Sequence, residues 1–407
     1  MKYTVIGISD SPTPFFPPEV TTMLRSGRLF SGGKRHHDIV RHLLPENAVW
    51  IDITVPLSAV FDQYRQANGD IIVFASGDPL FFGFANTLKK TFPEAEIMVH
   101  PTFNSLQLLA HRLVMPYHDM HIVSLTGRDW PAFDEALITD TKKIGVLTDK
   151  THTPASIAQR MLDYGYTDYK MYVGERLGNP LEEKVSTLSL EEAARQTFAM
   201  PNCLIITGHH PRRYGIPDEE FCLLNGREKM ITKMPIRLLT LQRLDLYEKR
   251  VFWDIGFCTG SVSIEARLQF PHLHIEAFEI REEGKELMET NARRFGTPGI
   301  SCHIVDFLEA DLNALPRPDA VFIGGHGGHL RAIMRKATEV LTDGGCIVMN
   351  SVTSAIVEQA THRPSSKDLF EQACKELDLE AAAPLRIKLN DYNTIEILKC
   401  KKQPSYQ

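Results

Sequence analysis

Trp253-Asp254-Ile255-Gly256-Phe257-Cys258-Thr259-Gly260-Ser261 decides the fold of the second half of the chain. Arg250 to Ile255 is a short apolar run that reads as a buried strand, and Ser261 to about Gln269 reads as the helix that follows it. Between them lies a glycine loop, at the kind of strand-to-helix turn where an open parallel sheet places its ligand. Gly256 and Gly260 permit a tight turn and a close backbone approach, and the helix N-terminus offers free N–H groups.

The loop has G-x-x-x-G spacing, unlike the G-x-G-x-x-G of dinucleotide enzymes. Asp254 stands directly before it, where a carboxylate would repel a pyrophosphate. S-adenosyl-L-methionine carries no phosphate and has ammonium and sulfonium charges, so the loop is expected to hold that donor. Glu279 ends the next strand, His274 to Phe278, where it can accept hydrogen bonds from both ribose hydroxyls. Asp306 follows a third strand, Ser301 to Val305, and is placed to meet the adenine edge. Taken singly, Asp254 reads equally as a helix cap and Glu279 as a solvated strand end; their order around one loop favours the ligand.

A fourth strand, Asp319 to Ile323, runs into Gly324-Gly325-His326-Gly327-Gly328-His329. Gly325 and Gly327 leave an open floor where a bulky substrate can reach the methyl donor, and His326 is the candidate catalytic group. The alternative is a loop whose His326 is only exposed. The chain has no Asn/Asp-Pro-Pro-Tyr/Phe tetrad there, which disfavours methylation of a base amino group. Cys346 to Met349 continues the series, and Pro384 to Leu389 and Thr394 to Lys399 flank the hairpin-like turn Asn390-Asp391-Tyr392-Asn393. The expected second domain, residues 227–403, is therefore a doubly wound Rossmann-like sheet closing on an antiparallel hairpin.

Working back, residues 209–226 are polar and broken by proline and glycine, and read as a linker. Residues 1–208 alternate apolar runs with helical stretches: Tyr3 to Ile8, Ile71 to Ala75, Ile97 to His100, His121 to Leu125, Lys143 to Leu147, Lys170 to Val173 and Asn202 to Thr207. That alternation means a second α/β domain with a largely parallel sheet. The 407-residue length agrees with two domains of roughly 200 residues.

A formal net charge of −6 argues against a nucleic-acid partner. No apolar run reaches the roughly 18 residues of a membrane span, and Met1 to Gly7 reads straight into a strand without a signal-peptide core. Seven cysteines without a C-x-x-C pair suit a reducing compartment and give neither a disulfide framework nor a zinc site. The expectation is a soluble cytoplasmic protein with no bound metal, no membrane partner and no nucleic acid.

Two further segments stand out, Gly32-Gly33-Lys34-Arg35-His36 and Ser76-Gly77-Asp78-Pro79-Leu80-Phe81-Phe82-Gly83. The latter follows a strand; Asp78 can cap and Pro79 suits a first helical position, so it reads as a ligand loop or as a plain helix start. Together with Leu125-Thr126-Gly127-Arg128 and Val173-Gly174-Glu175-Arg176-Leu177-Gly178, these segments resemble the tetrapyrrole methylase family, in particular its module for carbon 5 of precorrins. Thr232 to Arg237, Asp254 to Glu265 and Asp319 to Gly328 make the second half similar to the module that methylates carbon 15 and decarboxylates. The order is that of the fused decarboxylating precorrin 5,15-methyltransferases of cobalamin biosynthesis.

The resemblance implies a two-lobed first domain with its own S-adenosylmethionine, held by Gly7, Gly77, Asp78 and Phe81. It implies a polycarboxylate tetrapyrrole substrate and a homo-oligomer, with a tetramer favoured. A polycarboxylate needs cations, and Lys34, Arg35, His36 and His37 form one candidate cluster while Lys229, Lys233 and Arg237 form another. Each reads equally as a solvated basic face. Three departures from the family pattern stand out: Ser9 and Cys258 where glycine is usual, and Thr102-Phe103-Asn104-Ser105 in place of a smaller serine-rich turn. The competing function is methylation of RNA or protein, which similar sheets perform, and the acidic balance argues against the RNA version. A dehydrogenase is disfavoured by the loop spacing and Asp254, and one module acting only as a scaffold for the other is the non-enzyme alternative.

Overall fold

Apolar runs flanked by amphipathic helices become parallel strands covered on both faces, and this pattern builds two compact units. The structure, a computed structural model, describes residues 2–226, 230–353, 364–388 and 394–404. One unit comprises residues 1–129, 142–162 and 167–209; the other comprises 130–141, 163–166 and 210–407.

The first unit has two five-stranded sheets. One contains β1 (Lys2–Ile8), β2 (Leu29–Gly32), β3 (Val49–Asp52), β4 (Ile71–Ser76) and β5 (Glu96–His100), all parallel in the order β3-β2-β4-β1-β5. Tyr3, Val5, Ile71 and Val73 fill its core on one face, and Ile6, Ile8, Phe30 and Phe74 on the other. The second sheet contains β6 (His121–Ser124), β7 (Lys143–Leu147), β8 (Tyr169–Glu175), β9 (Lys184–Ser189) and β10 (Asn202–Gly208), in the order β6-β7-β10-β8-β9. Only β6 and β7 pair in parallel there. This unit has the two lobes the resemblance implied, and its second lobe is mostly antiparallel rather than parallel.

The second unit is one eight-stranded sheet. Its strands are β11 (Val251–Ile255), β12 (His274–Glu279), β13 (Ile300–Ile304), β14 (Ala320–Ile323), β15 (Cys346–Thr353), β16 (Leu379–Ala381), β17 (Leu385–Ile387) and β18 (Thr394–Lys402). The order β13-β12-β11-β14-β15 is parallel, and β18 pairs antiparallel with β15, β16 and β17. The chain leaves β11 to one side for β12 and β13, then returns to the other for β14, so the order reverses between β11 and β14. A crevice opens at such a reversal, outside the carboxyl ends of the strands. Trp253 and Phe278, with ring centroids 5.3 Å apart, pack with Phe307 beneath it.

Three features differ from the sequence reading. Residues 210–226 are packed rather than a linker: Ile216 and Phe221 are buried in a core with Ile264 and Leu268. Their apolar residues, Ile216 alone and the short run Phe221 to Leu224, are too few to show a period. Pro79 does not begin a helix; the helix opens at Phe84 with Gly83 at its cap. Gly77 and Phe82, with φ of 61° and 52°, fold the intervening residues into turns, and the Asp78 carboxylate accepts the Leu80 N–H at 2.9 Å. Strands β2, β3, β9 and β16, of three to six residues, were too short or too polar to be read. The turn read at Asn390 to Asn393 lies outside the described residues, although β17 and β18 pair antiparallel on either side of it.

In the first unit, a Cβ built on Gly7, near the end of β1, would lie 2.1 Å from the Gly77 carbonyl oxygen, so strand β1 and the turn after β4 touch backbone to backbone. Gly7→Ala is therefore expected to cost about 1–3 kcal/mol of that unit's stability, the usual range for forcing extra volume into a packed site. Urea unfolding followed by a probe within the unit checks it; a midpoint equal to wild type would contradict the close approach.

Candidate active site

In the second unit the reversal point is sealed by glycine. Gly256 has φ of 74°, and a Cβ on it would lie 2.7 Å from the Gly325 nitrogen and 2.8 Å from its oxygen. The loops after β11 and β14 thus meet through bare backbone. Gly260, also at φ of 74°, begins the helix Ser261–Gln269, and a Cβ there would collide with Met288. Above these loops lies a cavity of about 930 Å³, towards the upper end of the roughly 300–1,000 Å³ usual for small-molecule sites.

The structure brings the predicted carboxylates to this cavity. Asp254 is completely buried at the end of β11. Its Oδ2 accepts the Ser263 hydroxyl at 2.6 Å, while Oδ1 has no hydrogen-bond partner. Burial pushes its carboxyl up to about 7, against the pull of the Ser263 bonds. Glu279 is buried at the end of β12; its Oε2 accepts the Cys258 N–H at 3.0 Å, and its Oε1 accepts from Ile280 N, Arg281 N and Arg281 Nη1. Asp306 lines the cavity with Oδ1 accepting the Leu308 N–H at 2.9 Å. Cys258 sits at φ of 51°, the left-handed region that favours glycine, so the cysteine occupies a glycine's conformation at this turn.

His326, Gly325 and Gly327 also line the cavity. His326 Nδ1 accepts the Gly328 N–H at 3.2 Å and Nε2 lies 3.3 Å from the Ser366 hydroxyl. Burial and the neighbouring His329 lower its pKa, so the ring is neutral at pH 7 with its proton on Nε2.

The cationic expectations fare differently. Lys233 lines the cavity, 3.7 Å from Asp218 Oδ2. Arg237 does not: it is completely buried, its Nε bonded to Glu265 Oε2 at 3.2 Å and its other nitrogens to Asp218, Thr232 O and Ile216 O. With its donors spent inside the protein, Arg237 is a structural tie and not a substrate ligand. Lys229 lies outside the described residues.

In the first unit Lys34 is exposed at the start of the helix Lys34–Val40. Arg35 is committed to the buried Asp10 carboxylate and to Ser76 Oγ at 2.7 Å. His36 bonds Ser76 Oγ at 2.9 Å, and burial with the Arg35 charge lowers it to about 4, so it is not a cation at neutral pH. Asp10 also receives Arg176, which is itself at φ of 51°. Gly77 lines a cleft of only about 120 Å³ with Asp10 and Arg35; Gly7, Asp78 and Phe81 lie outside that lining. That volume is below the roughly 300–1,000 Å³ usual for small-molecule sites.

Sequence reading missed Asp10, and also several groups on the large cavity. Met230, Ile280 and Val352 are exposed apolar side chains on its wall. Asn350 lies 3.1 Å from the Thr240 hydroxyl and leaves its buried Nδ2 without a partner. Arg281 was detectable as a cation beside an acidic strand end; Asn350 carried no local signal.

Comparison with known proteins agrees with this architecture. Residues 225–376 match the precorrin methyltransferase domain family, and residues 23–194 match the tetrapyrrole (corrin/porphyrin) methylases. A Sinorhizobium protein named precorrin-6Y C(5,15)-methyltransferase [decarboxylating] is 30% identical over 360 residues, spanning 86% of this chain and 84% of that protein. The chain belongs to the decarboxylating precorrin-6Y C(5,15)-methyltransferase family. A Mycobacterium tuberculosis protein of the same name is 27% identical over 86% of this chain and 87% of its own length. A Salmonella typhimurium protein named cobalt-precorrin-6B C(15)-methyltransferase (decarboxylating) is 33% identical over 46% of this chain and 97% of its own length. The chain is thus a methyltransferase of two α/β units, and among its described residues no helix is long and apolar enough to cross a membrane.

The Arg237 tie yields a stability prediction. Removing one partner of a buried ion pair leaves the other uncompensated and costs about 3–5 kcal/mol. Arg237→Met is expected to lose stability on that scale in chemical unfolding. A loss below about 1 kcal/mol would mean that Glu265 is satisfied without it, since Gly215 N and Ile216 N also donate to that carboxylate.

Proposed function

We propose that the chain transfers methyl groups from S-adenosylmethionine to carbons 5 and 15 of precorrin-6B, or of its cobalt form, and decarboxylates an acetate side chain to give precorrin-8 in cobalamin biosynthesis. Carbon 15 and the decarboxylation are assigned to the second unit, and carbon 5 to the first. One observation carries the assignment of the second unit: the buried, unpartnered Asp254 Oδ1 on the wall of a large cavity. An orphaned carboxylate oxygen costs free energy unless a ligand supplies a donor or a positive charge. The family membership supports the substrate.

Bound S-adenosylmethionine supplies an electrophilic methyl on a positively charged sulfur. Asp254 would answer the ligand's positive charge, and Glu279 and Asp306 would accept from its ribose and adenine. The touching Gly256 and Gly325 backbones keep side chains from the floor, so a macrocycle can approach end-on. Met230, Ile280 and Val352 offer apolar surface to such a ring, and Lys233 offers charge to its carboxylates. Positioning of an electron-rich carbon in line with the methyl then carries much of the rate. No general base is needed for carbon dioxide loss if the macrocycle accepts the electron pair. His326 can donate from Nε2 to a substrate carboxylate when it leaves Ser366. The first unit would have to widen its cleft, parting Asp10 from Arg35 or Arg176, before a donor enters.

The test is mass spectrometry of products formed from S-adenosylmethionine and precorrin-6B or its cobalt form. Two added methyls with loss of carbon dioxide is the expected product. Asp254→Ala should abolish carbon-15 methylation and decarboxylation while sparing carbon 5; loss of both methylations in a folded variant would contradict separate sites.

Asp254 also predicts a pH dependence. Its folded pKa of about 7 lies above the ordinary carboxyl value near 4, so the free protein loses stability as pH rises between these values. A cationic ligand favours the ionised form, so donor affinity should rise with pH up to about 7 and then level off. Calorimetry at pH 6 in buffers of different ionisation enthalpy should detect a proton released on binding in the wild type and a smaller release in Asp254→Asn. Equal proton release in both would remove Asp254 from the site.

A further inference from the structure

The Glu279 carboxylate is oversubscribed on one side. Oε1 accepts from Ile280 N at 3.0 Å, Arg281 N at 3.1 Å and Arg281 Nη1 at 2.9 Å, whereas Oε2 accepts only Cys258 N. A carboxylate oxygen offers about two lone-pair directions. One ribose hydroxyl can therefore join Oε2, but a second can reach Oε1 only if a present donor leaves. The two backbone N–H groups are fixed by the chain; the Arg281 guanidinium is not. Its side chain is one-third exposed, so water can take up its charge as a ribose hydroxyl arrives. Arg281 lines the same cavity, next to Ile280, whose side chain is among the exposed apolar ones.

Resting on the reading of Glu279 as the ribose acceptor, we propose that the nucleoside of the methyl donor displaces the Arg281 guanidinium from Glu279, and that the freed cation then pairs with a carboxylate of the tetrapyrrole. Arg281 is a positioning residue that couples the two ligands. Without donor its charge is spent on Glu279, and Lys233 is the lysine that lines the cavity among the described residues. With donor bound, the ribose diol replaces the guanidinium and a bidentate carboxylate partner appears beside the methyl. The device favours donor-first binding without any movement of the sheet. By linkage, the tetrapyrrole must tighten donor binding by the same factor that the donor tightens tetrapyrrole binding.

The experiment uses the full chain and two probes. The first is 5′-methylthioadenosine, a neutral nucleoside whose lack of charge means that any electrostatic coupling must pass through the protein. The second is uroporphyrin I, a fluorescent porphyrin octacarboxylate. In the wild type, saturating nucleoside should tighten uroporphyrin binding about five- to tenfold, at the lower end of ordinary coupling factors. In Arg281→Gln the factor should fall to within about twofold of unity, with nucleoside affinity equal to or tighter than wild type because its competitor is gone. Arg281→Lys, which keeps the charge without the planar fork, should give an intermediate factor. Thermal unfolding of each variant separates coupling from folding.

A wild-type factor of one, or an unchanged factor in a folded Arg281→Gln, overturns the inference and leaves the site assignment standing. Nucleoside affinity that is indifferent to Glu279→Gln overturns the assignment of Glu279, and this inference with it.

Discussion

The second unit depends on a single contact, the backbone of Gly256 against the backbone of Gly325. Parallel strands that diverge at a reversal leave a crevice, and two loops must pass its mouth without filling it. Any side chain at Gly256 would drive the loops apart, because its first carbon already lies within 3 Å of three Gly325 atoms. With the loops together, the end of β11 is buried under its own turn. That burial keeps Asp254 from water, raises its carboxyl to about 7 and leaves Oδ1 for a ligand. Glycine geometry, carboxyl chemistry and cavity are one constraint seen at three levels.

What was legible followed from chemistry that is local in sequence. Strand β11, the helix Ser261–Gln269, the glycine turn and the acidic ends of β12 and β13 form a continuous pattern, and the structure gathers them on one cavity. The left-handed turn at Cys258 also fits the pattern, since that backbone region favours glycine, the residue the family resemblance leads one to expect there. Four-residue β2 and β3 carry too few residues for a period, and β9, Lys184–Ser189, is too polar to announce itself. The packed segment before the second sheet was hidden because Ile216 stands alone among polar residues and the apolar run from Phe221 to Leu224 is too short to show a period.

Charges were the least legible feature, for a physical reason. Sequence gives the sign of a side chain but not its partner, and a guanidinium is equally at home on a substrate and on a buried carboxylate. Arg237 went to Glu265, Asp218 and two carbonyls; Arg35 went to Asp10. Burial, with the Arg35 charge beside it, keeps His36 neutral. For both arginines the deciding carboxylate comes from a distant stretch of chain, Glu265 for Arg237 and Asp10 for Arg35, brought close only by the fold. Arg281 is the converse, since its partner Glu279 is two residues away, on the wall of the same cavity.

The two units solve the same problem with different margins. In both, glycines let the chain come into backbone contact at the carboxyl ends of parallel strands: Gly7 of β1 with Gly77 after β4 in one, Gly256 with Gly325 in the other. In the second unit the space above the crossing stays open. In the first, Ser9 stands within 3.0 Å of where a Cβ on Gly178 would be, and Asp10 is clamped by Arg35 and Arg176. Asp10 is there neutralised by two protein cations, which lowers its demand for one from outside. On the proposed assignment, a donor entering the first unit would compete with a standing ion cluster, whereas a donor entering the second would meet an oxygen with no partner. Equal chemistry at the two carbons would thus require the first unit to recover, from its substrate or its donor, the free energy of taking that cluster apart.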